Sequence, residues 1–162
     1  MALKSDRSTL QTDISFFMNE AATRGGVAVI STGGSGASMD NGSALVTYSA
    51  APSGTAAMGL LINDMVSIDL TRQHLNQHKD EVQKGGKVTL LSKGWVVTSN
   101  LEGTDPNAGD VAYLAHSGNL SSSNIGGDDS AEKMVVGRFL SDVDEDGYAK
   151  VFIDLPNTNS HP

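Results

Sequence analysis

An all-β fold is what this sequence predicts, and three observations predict it. KVTLL, GWVVTS, GDVAYLAHSG, EKMVVGRFLS and YAKVFIDL, all between residues 85 and 155, are short runs rich in β-branched and aromatic residues. Gly- and Asp-rich clusters punctuate them as turns do. Eighteen glycines are too many for a helical bundle, whereas 38% hydrophobic residues are too many for disorder. A chain of 162 residues can bury one main core without metal or disulfide staples. The expected architecture is a small barrel- or sandwich-like C-terminal domain over residues 81–155, with a tail at 156–162. An N-terminal arm or short helix at 1–26 and a β-rich segment with a connector at 27–80 precede it.

The first segment reads two ways. Ser8-Thr9-Leu10-Gln11 fits a capping box, and Leu10, Ile14, Phe17, Met18 and Ala21 recur at helical spacing before Gly25-Gly26. Ile14, Phe16 and Met18 also alternate, as an extended arm laid on a partner would. Either way, Phe16 and Phe17 have to be buried, on this chain's own core or on another subunit.

VAVIST from Val27 and ALVTYSA from Ala44 predict two strands around a polar loop, Gly33 to Gly42. That loop lacks the Gly-Lys-Ser/Thr ending of a phosphate loop and the third glycine of a dinucleotide fingerprint, so it reads as a connection with an Asn41-Gly42 turn. MGLLINDMVSIDL, Met58 to Leu70, is apolar and strand-like at both ends. Thr71 to Gly86 is polar with few apolar residues and suits a connector that lies on something else.

Candidate chemistry fails position by position. His74 and His78 have the spacing of a two-histidine metal pair, but Leu75 stands where a zinc protease needs its glutamate, and no third ligand is evident. Asp142, Asp144, Asp146 and Gly147 imitate the start of a calcium loop, yet the twelfth position is Ile153 rather than glutamate. Asp146-Gly147 therefore reads as the turn of a hairpin. No serine sits in a Gly-x-Ser-x-Gly elbow, and Asp128, Asp129 and Glu132 lie in a Gly/Ser-rich loop as solvated carboxylates do. No enzyme activity, cofactor or metal is expected.

Without cysteine the chain has no disulfide or thiolate chemistry. The apolar patch at Ile14 to Met18 is far too short for a signal core or membrane span, so a soluble protein with no membrane partner is expected. Eight basic and eight acidic residues cancel before Gly94; beyond it, Lys133, Arg138 and Lys150 face eleven acids, so the net charge of −8 belongs to the C-terminal part. Such a surface repels phosphate backbones, and no nucleic-acid partner is expected.

KGGKVTLLSKGWVVTSNLEG, GDVAYLAHSGNLS and VVGRFLSDVDEDGYAKVFIDL, in that order, resemble the head decoration or capsid cement proteins of tailed bacteriophages, over about Glu81 to Leu155. The resemblance implies a β-barrel-like domain that assembles in the host bacterial cytoplasm onto the outer face of the virion capsid. It further implies a homotrimer that bridges major capsid protein subunits and stabilises the head. Leu10, Ile14, Phe16, Phe17 and Met18 are the candidate capsid or subunit contacts, followed by Arg72, His74 and His78 in the connector. Trp95, inside Gly-Trp-Val-Val, is expected in the core. The alternative is a carbohydrate- or receptor-binding β-module of a phage fibre or adhesin, which would need Tyr48 or Tyr113 exposed as a stacking platform. An all-β enzyme ranks third.

Overall fold

The computed structural model describes residues 2–32, 44–51, 55–62, 68–69, 74–75, 81–123 and 134–155. The Gly33–Gly42 loop, the Asp128–Glu132 carboxylates, most of the connector and the C-terminal tail lie outside the described residues. The strands are β1 Leu3–Asp13, β2 Phe17–Met18, β3 Ala22–Thr23, β4 Val27–Thr32, β5 Leu45–Thr47, β6 Ala57–Leu61 and β7 Ile68–Asp69. They continue as β8 His74–Leu75, β9 Glu81–Val82, β10 Leu90–Thr98, β11 Val111–Leu114, β12 Leu120–Ser121, β13 Val135–Phe139 and β14 Ala149–Asp154. The only helical element among the described residues is a single 3-10 turn at His116–Gly118.

Ten of these strands form one sheet in the order β12-β11-β13-β14-β10-β6-β4-β5-β2, with β1 added to β10. β10 is the junction. Its residues 93–98 pair with β14, and its Leu90 and Leu91 pair with β6, while β1 runs antiparallel along it from Thr98 to Leu90. Where the sequence suggests two strands, KVTLL and GWVVTS, the chain runs straight through. Gly94 makes this possible: at φ +146° it passes so close to β1 that a Cβ there would stand 2.1 Å from the Ser8 carbonyl oxygen. Opposite it, β1 carries a bulge between Thr9 and Gln11 that leaves Leu10 without a register partner.

Two cores result. Val27, Val29, Leu60, Ile62, Leu91, Val96, Leu114, Val136, Phe139, Val151 and Ile153 fill the first, which joins the inner faces of both halves of the sheet. Phe16, Met18, Ala28, Val46, Leu61, Val82, Val88 and Leu90 fill the second, on the other side of β4 and β6. That second face is roofed by residues 16–18 and 85–88, which exchange backbone hydrogen bonds Met18 N–H to Gly86 O (2.9 Å), Gly85 N–H to Met18 O (2.7 Å) and Val88 N–H to Phe16 O (3.1 Å). Consecutive residues of β4 and β6 thus enter opposite cores. Their unbroken apolar runs are the signature of a strand buried on both faces.

Two expectations change here. The helical alternative for residues 8–24 does not form: Ser8 to Asp13 belong to β1, because pairing with β10 satisfies their backbone groups where a short isolated helix is marginal. Nor does the extended alternative stand free over residues 3–13, which are zipped into the sheet. Trp95 is also not core. It lies half-buried on the outer face, because Val96, next to it, takes the inward position.

Candidate functional site

β1 is the sheet's exposed border. From Thr9 to Thr12 four successive residues are exposed, and Leu10 at the bulge is 65% exposed. A bulged, polar edge resists uncontrolled pairing with other chains while leaving one apolar side chain on offer. Ile14 is half-buried just beyond the strand, and Phe17 is half-buried with the Lys87 ammonium 5.5 Å from its ring centroid. Phe16 and Met18 are committed to the second core, Met18 fully enclosed. The structure therefore brings Leu10, Ile14 and Phe17 to the surface and puts Phe16 and Met18 beneath them. His74 contributes its backbone to β8 opposite Asp69, and Arg72 and His78 lie outside the described residues.

The sequence reading missed a second surface. In register across five strands lie Val111, Arg138, Phe152, Trp95 and Ser8, all on the side of the sheet away from the first core. Beside this row Lys150 pairs with Val97 and holds its ammonium 3.7 Å over the Trp95 ring, a cation–π contact. Lys93 faces Asp154 at 4.0 Å. A period-two signal was present all along: Lys93, Trp95 and Val97 alternate in step with Lys150, Phe152 and Asp154. A lysine at the same parity as a tryptophan marks that face as outer.

The β13–β14 connection closes as the Asp146-Gly147 reading expects. Asp144 organises it: its Oδ1 accepts the backbone N–H groups of Asp146 (3.0 Å) and Tyr148 (2.7 Å), and the Gly147 N–H reaches the Asp144 carbonyl at 3.0 Å. The Lys4 ammonium donates to Asp144 Oδ2 at 3.1 Å and sits 4.2 Å over the Tyr148 ring, tying the start of β1 to this turn. The Tyr148 N–H first, and Lys4 with it, hold the Asp144 carboxyl below its ordinary value, and the hydrogen bond to Asp144 raises the Lys4 ammonium. Asp142 accepts the Ala108 N–H at 2.8 Å. These carboxylates work as turn-builders, and among the described residues no group of three His, Asp or Glu side chains is placed to hold a metal ion.

Tyr48 is unsuited to a sugar platform. Its ring packs against Gly26 and Gly118, where a Cβ would come within 2.8 Å. Its hydroxyl donates to the Thr23 carbonyl at 2.5 Å and accepts the Gly26 N–H at 3.1 Å. Burial pushes the phenol well above its ordinary value. The neighbouring 3-10 turn is held by Glu102, whose carboxylate accepts the His116 N–H at 2.8 Å and faces the ring Nδ1 at 2.7 Å.

What the surfaces offer is an edge strand with one exposed leucine, an aromatic-basic sheet face and an acidic turn. Residues 3–154 match the family model described as "Structural cement protein (E217 gp24/Pam3 gp6)". No curated protein matches the chain.

Proposed function

With the chain belonging to the phage structural cement protein family, a structural component of the virion capsid, we propose that it binds the outer face of the head and bridges neighbouring major capsid subunits. The observation that carries this reading is the family match over residues 3–154, which takes in β1 and both cores. The exposed run Thr9–Thr12 with Leu10, together with Ile14 and Phe17, is the contact we assign to the capsid. Phe16 and Met18 support that contact from beneath, and Arg72, His74 and His78 are further candidates for capsid contact. A leucine on a strand edge gives a small apolar anchor, and the polar neighbours supply a rim that tolerates water before docking.

The work done is mechanical. Each copy adds a modest contact, and many copies bridging adjacent subunits resist the outward pressure of packaged DNA together. Self-association as a homotrimer belongs to the same reading, because a closed ring presents several edge strands to the shell at once. The acidic C-terminal lobe suits the solvent side, away from the packaged nucleic acid.

The test is binding of the purified chain to empty expanded heads, alongside heat and osmotic challenge of virions with and without it. Saturable binding to the outside, with particles lacking it losing DNA at lower temperature, supports the reading. Density on the inner wall or tail, or equal survival of the two particle types, overturns it. Leu10→Asp is expected to weaken head binding by about tenfold or more while leaving the fold intact, since Leu10 is on the surface.

A further inference from the structure

The outer face of β10, β13 and β14 has a chemistry unlike the lobe that carries it. Beyond Gly94 the chain has three cations, and two of them, Arg138 and Lys150, lie on this face, with Lys93 adjoining at its edge. They surround Trp95, Phe152 and Val97, all half-buried rather than enclosed. Tryptophan, phenylalanine and arginine are what the centre of a protein interface is enriched in, and the lysines suit its rim. Asp154, at the far end of this face, is set against Lys93 at 4.0 Å.

The complementary chemistry is on the same chain. The turn between β13 and β14 exposes Asp142, Asp144, Glu145 and Asp146, and at its base Leu140 is 44% exposed. Leu140 and Leu10 are the large hydrophobic side chains that stand exposed among the described residues. The turn leaves the end of the very hairpin whose flat side is the basic face, so it cannot fold back onto that face without unpairing the strands. It can reach the equivalent face of a second copy.

We propose that the face built on Trp95, Phe152, Arg138 and Lys150 receives the acidic β13–β14 turn of a second copy of this chain, joining copies head to tail. The assignment rests on the cement reading and specifies its self-contact. Contact between two different patches is heterologous, and it closes into a ring when the rotation permits. Copies of a chain of net charge −8 repel one another on average, and setting the acids of one copy on the cationic face of the next replaces that repulsion with attraction. Leu140 then reaches apolar surface beside Trp95, and the Lys150 ammonium, already over the indole, gains a carboxylate.

Sedimentation equilibrium of the full chain, at low and high salt, tests this. The wild type is expected to associate, more weakly as salt rises, with Trp95 emission shifting to the blue as copies join. Arg138→Glu with Lys150→Glu, and separately Glu145→Lys with Asp146→Lys, should each weaken association by about tenfold or more, and all four changes together should restore it. The turn variant touches no core residue, so it reads the contact even if the face variant folds poorly. A wild type that stays monomeric overturns the contact, and its binding to empty heads, measured in parallel, reports separately on the cement reading. Association that ignores both variant pairs overturns it too. Variants that still associate but lose head binding would give the face to the coat protein and end the proposal.

Discussion

Strands β4 and β6, joined to β10 at Leu90 and Leu91, and strands β13 and β14, joined to it along residues 93–98, belong to one sheet but live in different solvents. The first pair is buried on both faces, each successive side chain entering a different core. The second pair has one face in the first core and one half-open face carrying Lys150, Phe152 and Arg138. A chain of this size has too little apolar surface to roof every strand twice. Among the described residues, 16–18 and 85–88 roof the first half, and the outer face of the second stays half-open.

The difference can be broken most directly at Leu61 of β6, fully buried in the second core. Leu61→Ala should cost about 2–5 kcal/mol in denaturant unfolding, the usual range for a leucine cavity in a packed core. A cost below about 1 kcal/mol would mean that the second core is not a packed one.

A sharper comparison uses adjacent residues of one strand. Val96→Thr puts a hydroxyl into the first core and should cost about 1–3 kcal/mol, whereas Val97→Thr on the outer face should stay within about 0.5 kcal/mol. Equal costs would show that the outer face is covered in the isolated chain.

Tyr48 provides a test in pH. Its phenol is raised above the ordinary value of 10.0, so the folded chain keeps a proton that the unfolded chain releases. The stability it contributes is complete below about pH 10 and falls as pH rises further, by up to about 1.4 kcal/mol per pH unit for this one group. Tyr48→Phe should cost about 1 kcal/mol at neutral pH, through the lost hydrogen bonds to Thr23 and Gly26, and should flatten the alkaline fall. An unchanged alkaline profile would count against an enclosed phenol.

The smallest effect belongs to Asp144. Its carboxyl is depressed, so its contribution is present above the ordinary carboxylate value of 3.8 and is lost as pH falls through the lower folded value. Asp144→Asn should soften the acid limb of the stability curve slightly, read by thermal melts below pH 5. The Lys4 contact, being at the surface, should add little once salt is raised.

The C-terminal strands were legible because their signals are local: β-branched runs, flanking turns, and an Asp-Gly pair that closes β13 onto β14. Residues 8–24 were ambiguous for a physical reason. Their helical and alternating patterns share Ile14 and Met18, and the deciding partners are distant: Leu90 to Thr98 for Ser8 to Asp13, and Leu45, Val46 and Gly85 to Val88 for Phe16 to Met18. Trp95 was misplaced because tryptophan is usually buried, while the lysines of matching parity at positions 93 and 150 carried the correct sign. The contact candidates divided along the same line, with Leu10, Ile14 and Phe17 at the surface and Phe16 and Met18 inside.

By itself, then, the sequence determined the β class, the acidic C-terminal lobe, the turns and the order of words that resembles a capsid cement protein, since composition and short-range chemistry need no partner to be read. Only the tertiary structure decided that β10 would unite both halves, that β1 would become an edge, and which parity of β10 and β14 would face out. A strand has two faces and two edges of nearly equal standing until distant residues cover one of each.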